Sequence, residues 1–455
     1  MAPPERTTAG DYHFHVYDYK DSAAWTLSQA QPERDGLKFY SMRRDLISLA
    51  LTARDNGVPN AATRNIGVEI TGGLGQDVLP DKPDGVCHIK ALSFGGPTQL
   101  SPDTPVAVIT GGIHAREWVA AEMAYLLAEY LIVNYSNDPG GNRHKQFIHD
   151  LVRTRRIHII PMLNPSGSLY TVFSAKQTAR MWRVNRRTLP NNANGWRDAL
   201  IDQSNNNPWP PFRNVPPDGD VASYEVPRYP PGHNPVFDTV NLPNRNFVGV
   251  DINRNCATRY FGHNAGPDYQ KNNTPGNGDY FGMKAGSELE TQNIQGFLAG
   301  KNIRTSIDYH SYSQLILYPT EVADGGFLYD DFKVLGQTLQ ALIQDYALGT
   351  TKQLLGYDGT GSLADYVGTK FRSRSFVIEL DPKKDPNNPG AGFKLAEDKI
   401  QGVFENNIRA ALALIAAAGE PSTQCPNCLG RHTVSPSERE LLGWDVAGRG
   451  NRLPA

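Results

Sequence analysis

Residues 106–133 read VAVITGGIHAREWVAAEMAYLLAEYLIV, and the reading of the fold turns on them. Val106–Ile113 is an unbroken apolar run closed by Gly111 and Gly112. A short run of that kind describes a strand buried on both faces. From Arg116 to Val133 the period changes: Val119, Ala120, Met123, Ala124, Leu126, Leu127 and Tyr130 recur at helical spacing. A buried strand running straight into a helix is the repeating unit of an α/β protein.

The same alternation continues outward. Arg156–Leu163 reads as a second buried strand, followed by a turn at Asn164-Pro165-Ser166-Gly167. A helix is expected over Phe39–Arg54. Further on, Ser287–Leu298 reads as a helix, Thr305–Tyr309 and Gln314–Tyr318 as strands, and Asp330–Tyr346 as a helix. Ser375–Leu380 then reads as a strand and Leu395–Ala418 as a long apolar helix. The expectation is an α/β fold with a parallel or mixed sheet, its main domain spanning residues 65–418. Residues 1–64 form an N-terminal extension and the start of that domain, and 419–455 a polar tail. Between Arg186 and Asn246, Asn and Pro dominate (LPNNANGW, NNNPWPPF, RYPPGH), which marks 186–246 as an insertion. A loop of that length in a compact domain is usually functional or disordered, and its Trp, Phe and Tyr argue against plain disorder.

Composition narrows the partners. The 45 basic and 47 acidic side chains nearly cancel, so nothing points to nucleic acid or an anionic membrane. No stretch approaches the ~20 apolar residues of a membrane helix. The first twelve residues are polar and lack an apolar core, which argues against a secretory signal here, so the protein is expected to be intracellular or to have had a signal removed. A monomer is expected. The cysteines say little: Cys87 and Cys256 stand alone. Cys425, Cys428 and His432 supply three soft ligands where a structural zinc site needs four.

Chemistry gathers at the strand ends. His114-Ala115-Arg116-Glu117 sits where a strand gives way to a helix, and ligands of open α/β sheets bind beyond the carboxyl ends of strands. Three residues apart, an imidazole and a carboxylate can face the same way. Together they suit zinc, which commonly takes two His, one Glu and a water in catalytic sites. A lone His-x-x-Glu also describes an ordinary exposed helix start. His310, in Asp308-Tyr309-His310-Ser311-Tyr312, follows another short apolar strand and stands at the same topological place. Asp251 closes Val248-Gly249-Val250, read as a further short strand, and could accept the second ring N–H of His114.

Five stretches in order now resemble the zinc metallocarboxypeptidases of the carboxypeptidase A/B family. They are His114–Glu117, Met181-Trp182-Arg183, Asp251-Ile252-Asn253-Arg254-Asn255, His310–Gln314 with Leu317-Tyr318-Pro319, and Phe376-Val377-Ile378-Glu379-Leu380. The resemblance covers roughly 65–418 and implies a three-layer α/β/α sandwich around a mixed, about eight-stranded sheet. It implies one Zn²⁺ per chain held by His114, Glu117 and His310, with Glu379 as general base and Arg183 as the oxyanion's partner. Asn253 and Arg254 would bind the terminal carboxylate, for which a guanidinium fork is well shaped. Tyr357 would close over the terminal residue, its spacing to Glu379 matching the family without a gap. Arg116 and Tyr312 would line more distant subsites. The implied activity is release of the C-terminal residue from peptides or proteins.

The specificity pocket is less determined. Ungapped counting puts Ala364 at the selecting position, which suggests neutral hydrophobic or aromatic terminal residues. Asp365 beside it, or Glu321, would favour basic ones. Two other readings use the same ligands: a zinc amidohydrolase acting on small N-acyl amino acids, and a catalytically silent binding protein. The second would be expected to have lost Glu379 or a metal ligand, and all four are present.

Overall fold

The structure is a computed structural model. It describes residues 33–34, 37–38, 46–70, 86–173, 180–186, 249–258, 261, 278–282, 285–320, 329–388 and 390–419. Most of the 186–246 insertion, Glu321 and Cys425/Cys428 lie outside the described residues.

Eight strands form one sheet: β1 (Ala62–Ile70), β2 (Val86–Gly95), β3 (Val106–Thr110), β4 (Arg156–Ile160), β5 (Ile303–Ser311), β6 (Leu315–Tyr318), β7 (Ala347–Thr350) and β8 (Arg374–Leu380). Their spatial order is β1-β2-β4-β3-β5-β8-β6-β7. The middle four, β4, β3, β5 and β8, are parallel, while β2 on one flank and β6 on the other run antiparallel to them. The sheet is therefore mixed, as the family resemblance implies. Val106–Thr110 is buried along its whole length, as expected of a central parallel strand covered on both faces.

Helices cover both faces. On one side α1 (Leu46–Asp55), α2 (Trp118–Asn134), α3 (Arg143–Thr154), α6 (Tyr329–Leu342) and α9 (Glu397–Ala417) share a core with Phe94, Ile109, Ile307, Phe376 and Ile378. On the other side α5 (Leu289–Leu298) and α8 (Leu363–Lys370) pack on Ala91, Val106, Val108 and Ile160. The two clusters take alternate residues of the same strands, the period-two consequence of the pleat. Burying each large apolar side chain contributes roughly 1.5–3 kcal/mol. No described helix is long and apolar enough to cross a membrane.

Helix α2 has no polar stripe, because the sheet lies beneath it and α1, α3 and α9 surround it. Its seating depends on a glycine: a Cβ on Gly111 would lie 2.4 Å from the Ala120 carbonyl oxygen. Gly112 then turns the chain with φ +63°, delivering His114 to the end of β3.

Two sequence expectations are corrected. Asn164–Gly167 is the start of α4 (Pro165–Phe173) and not a free-standing turn. The Asn164 side-chain oxygen accepts from the Gly167 N–H, and Pro165 occupies the first helical position, where a missing N–H costs nothing. Asp251 does not close a strand. Its N–H donates to the Tyr280 carbonyl and the Val250 N–H to the Asn185 side chain, so these residues are held by loops instead of a ladder.

Candidate metal centre

His114, Glu117 and His310 converge at the carboxyl ends of β3 and β5. One ligand atom from each lies within 4.8 Å of the others, and all three residues are buried. Glu117 directly precedes α2, its N–H donating to the His114 carbonyl, so the pair is held in one turn. His114 Nδ1 lies 2.9 Å from Glu117 Oε1, and His310 Nδ1 lies 3.0 Å from Glu117 Oε2. The two Nδ1 atoms are 3.1 Å apart.

Behind each imidazole stands a carboxylate. His114 Nε2 faces Asp251 Oδ1 at 3.2 Å and His310 Nε2 faces Asp308 Oδ2 at 3.0 Å. Asp308 is itself fixed by the Thr110 hydroxyl, which donates to its Oδ1 at 2.7 Å. These partners put the ring protons on Nε2 and leave the Nδ1 lone pairs aimed at each other and at Glu117. Such an arrangement requires a positive charge at its centre. Protons compete for the same place, and the metal-free groups hold on to them. Burial alone would raise the Glu117 carboxyl, but His114 and His310 hold it well below its ordinary range. Burial would likewise lower His310, yet Asp308 and Glu117 hold it well above its ordinary value. Two imidazole nitrogens and a carboxylate, each with its outer partner, fit a zinc ion.

Glu379 stands beside this centre on β8, paired in parallel register with His310. Burial and the neighbouring charge of Glu117 push its carboxyl up to about 7. Arg183 comes from the loop that precedes the insertion. Its Nε and Nη2 donate to Asp251 Oδ2 at 3.1 and 2.8 Å, and its Nη1 is 3.2 Å from His114 Nδ1. Asp251 thus holds both an imidazole and a guanidinium. Against burial, Arg183 and His114 hold its carboxyl well below the ordinary range.

Asn253 and Arg254 lie on the short 3-10 turn Ile252–Arg254 that Asp251 caps. The Asn253 side-chain oxygen accepts from the Leu363 N–H, tying the turn to α8. Arg254 donates from Nη1 to the Asn253 carbonyl, and its guanidinium carbon is 5.6 Å from the Tyr357 ring centre. Its buried Nε has no partner among the described residues. Gly361, at φ +76°, lets the chain pass here: a Cβ would sit 2.4 Å from the Arg254 carbonyl oxygen.

Ala364 lies in an apolar cluster with Leu315, Leu317 and Val377, and Leu354 and Leu355 pack against it. Asp365 is engaged locally, where its Oδ2 accepts from the Ser362 hydroxyl at 2.7 Å, at the N-cap of α8. Arg116 stacks on Phe393, 4.1 Å from guanidinium carbon to ring centre, and Tyr312 meets the same ring edge-on at 4.9 Å. The structure brings the described candidates near one another: the three predicted ligands, Glu379, Arg183 and Asn253–Arg254 at the strand ends, Tyr357 against Arg254, Arg116 and Tyr312 on Phe393, and Ala364 beside Val377, while Glu321 lies outside the described residues. It also adds three that sequence reading had not assigned. Asp308 was detectable, because a residue two before His310 on a strand shares its face. Phe393 comes from the single 3-10 turn Ala391–Lys394 and Asp279, 3.4 Å from Arg183 Nε, from a turn, neither with a periodic signal.

Known proteins resemble this chain in sequence and in fold. The family model described as zinc carboxypeptidase matches residues 87–410. A zinc carboxypeptidase of Simulium vittatum is 25% identical over 321 residues, covering 68% of this chain and 80% of that one. Carboxypeptidase A4 of Mus musculus is 24% identical over 300 residues, covering 64% of this chain and 54% of that protein, so the chain spans about half that relative's length. Among solved structures, bovine thrombin-activatable fibrinolysis inhibitor in complex with tick carboxypeptidase inhibitor superposes with a TM-score of 0.51 at 19% identity. That match covers 82% of this chain and 94% of that one, a likeness of fold.

Proposed function

The chain belongs to the zinc carboxypeptidase family, and we propose that it is an exopeptidase that hydrolyses the C-terminal peptide bond of peptides or proteins. The observation that carries this reading is the placement of Glu379 next to His310 on adjacent strands, with Arg254 and Tyr357 facing each other nearby. A base, a metal site and a carboxylate-binding fork then share one sheet edge.

His114, Glu117 and His310 would hold the zinc. Zinc supplies Lewis acidity toward the scissile carbonyl and lowers the pKa of water towards ~7. Glu379 takes the proton from the attacking water and hands it to the leaving amine. A carboxyl pushed up to about 7 is well matched to both halves of that transfer near neutral pH. Arg183 offers Nη1 to the charge that develops on the carbonyl oxygen. A preorganised donor of this kind is worth roughly 3–4 kcal/mol of barrier. Arg254 and Asn253 bind the substrate's terminal carboxylate, and Tyr357 closes over the terminal residue. Phe393, between Arg116 and Tyr312, gives upstream residues an aromatic wall.

We take the terminal side chain to lie beside the buried apolar cluster of Ala364, Leu317 and Val377, whose chemistry would favour neutral hydrophobic or aromatic residues. Asp365 is engaged with Ser362, which argues against a buried acid selecting Lys or Arg from that position. The test is hydrolysis of N-blocked dipeptides ending in Phe, Leu, Lys, Arg or Glu, with and without a zinc chelator. Chelator-sensitive release of Phe and Leu is expected. Release of Lys and Arg alone would overturn the pocket assignment. No release of any residue from zinc-loaded protein would overturn the exopeptidase reading in favour of an amidohydrolase or a silent binder.

A further inference from the structure

Two carboxylates grip Arg183 along the same edge. Nε and Nη2 both donate to a single atom, Asp251 Oδ2, and Nε also lies 3.4 Å from Asp279 Oδ1. Nη1 points the other way, to within 3.2 Å of His114 Nδ1 and 3.7 Å of Glu117 Oε1. Asp251 is fully buried, whereas Asp279 is 46% exposed. The segment that carries Asp279 is nonetheless fixed, because the neighbouring Tyr280 carbonyl accepts the Asp251 N–H at 2.7 Å.

We propose that Asp279 is a positioning residue that sets the direction of Arg183 Nη1 toward the carbonyl oxygen under attack. The inference rests on the exopeptidase reading above. A guanidinium is planar, so fixing its Nε edge in two places fixes where Nη1 points. A pair of donors converging on one oxygen leaves the plane able to swivel about that oxygen. The Asp279 carboxylate supplies the second anchor and removes the swivel. Because Asp279 is half in water, its charge is screened, and it orients the cation at less cost to the cation's field than a second buried acid would exact.

The experiment compares wild type with Asp279→Ala, Asp279→Asn and Asp279→Glu in the zinc-loaded full chain, on the best N-blocked dipeptide. Losing one oxyanion donor outright costs about 10²–10³ in kcat, and mis-aiming it costs less, so Asp279→Ala is expected to lower kcat about tenfold with KM within about twofold. Asp279→Glu should recover most of the loss. A phosphonate analogue, which places a tetrahedral anion where the oxyanion forms, should bind Asp279→Ala more weakly by about the same factor. A product mimic bearing only the terminal carboxylate should bind it unchanged. Unaltered kcat in Asp279→Ala, or an equal weakening of the product mimic, overturns the inference alone. A wild-type protein that turns over no substrate overturns the exopeptidase reading, and this inference with it.

Discussion

His310 and Glu379 face each other across the ladder between two parallel strands, in direct Cα register. The ligand and the proposed base are thus one strand spacing apart by construction, and any slip of β8 against β5 would separate them. Both strands run through the middle of the sheet, where Ile307, Phe376 and Ile378 are fully buried and hold the register.

Glu379→Gln should abolish hydrolysis while leaving zinc bound, because it removes the base and none of the ligands. General-base catalysis is worth roughly 10²–10⁴ in rate. Residual activity above about a tenth of wild type, with zinc content intact, would remove Glu379 from that role.

The pH profile follows from the same carboxyl. A base must be ionised, so kcat/KM should fall as pH drops through the Glu379 value, which burial and Glu117 place at about 7. The charge of bound zinc acts in the opposite direction. The acid limb is therefore expected at or below 7, and a limb clearly above 7 would contradict the assignment. In Glu379→Gln the limb should vanish along with the activity.

The two carboxylates behind the imidazoles should be separable. Asp308 supports His310 alone, while Asp251 supports His114 and Arg183 together. Outer partners of metal-bound histidines typically contribute 10–100-fold in metal affinity. Asp308→Asn should weaken zinc by about that factor and leave kcat of the zinc-saturated enzyme nearly intact. Asp251→Asn should weaken zinc and also lower kcat under saturation. Chelator competition, paired with kinetics at excess zinc, checks both. Equal kcat losses in the two variants would deny Asp251 its second role.

Arg254 tests the exopeptidase claim directly. A hydrogen bond to a charged group contributes about 1.5–3 kcal/mol, so Arg254→Met should lower kcat/KM roughly 10–100-fold, chiefly through KM. Wild type should also discriminate against a substrate whose terminal carboxylate is blocked as an amide. If the amide is cut as fast as the free acid, Arg254 does not read that carboxylate.

The strand-end histidines were legible because each follows a short apolar run, and such runs survive as strands in almost any α/β context. Glu379 was legible for the same reason. Asp251 was assigned its partner correctly and its element wrongly. Val248-Gly249-Val250 has strand composition, but Gly249 at φ +62° and the hydrogen bonds of Val250 to Asn185 and of Asp251 to Tyr280 hold residues 249–251 as loop. The hairpin of β1 and β2 was missed altogether. Thr63, Arg64 and Asn65 break the apolar alternation of β1, an outer strand that among the described residues pairs with β2 alone. Phe393 and Asp279 were invisible for a different reason: one sits on a single 3-10 turn and the other on a turn whose path is set by tertiary contacts, and neither is long enough to show a period.

One stability prediction lies away from the cleft. His158 is buried on β4, its Nδ1 sharing a 2.7 Å hydrogen bond with the Ser93 hydroxyl and its ring edge-on to Phe297 at 5.0 Å. Burial, with Arg156, Lys301 and Arg64 adding like charge, holds its pKa well below the ordinary value. The unfolded chain therefore binds a proton below about pH 6.5 that the folded chain refuses. Stability is fully present above that pH and falls as pH drops through it, by up to about 1.4 kcal/mol per unit from this one group. His158→Gln removes the titration. At pH 7.5 it should lower stability by about 1 kcal/mol through the disturbed Ser93 hydrogen bond. Between pH 6.5 and 5.5 its denaturation midpoint should fall less steeply than that of wild type. Parallel slopes for the two proteins would mean that His158 titrates alike in the folded and unfolded chains, and that the cations around it do not act on it as their placement implies.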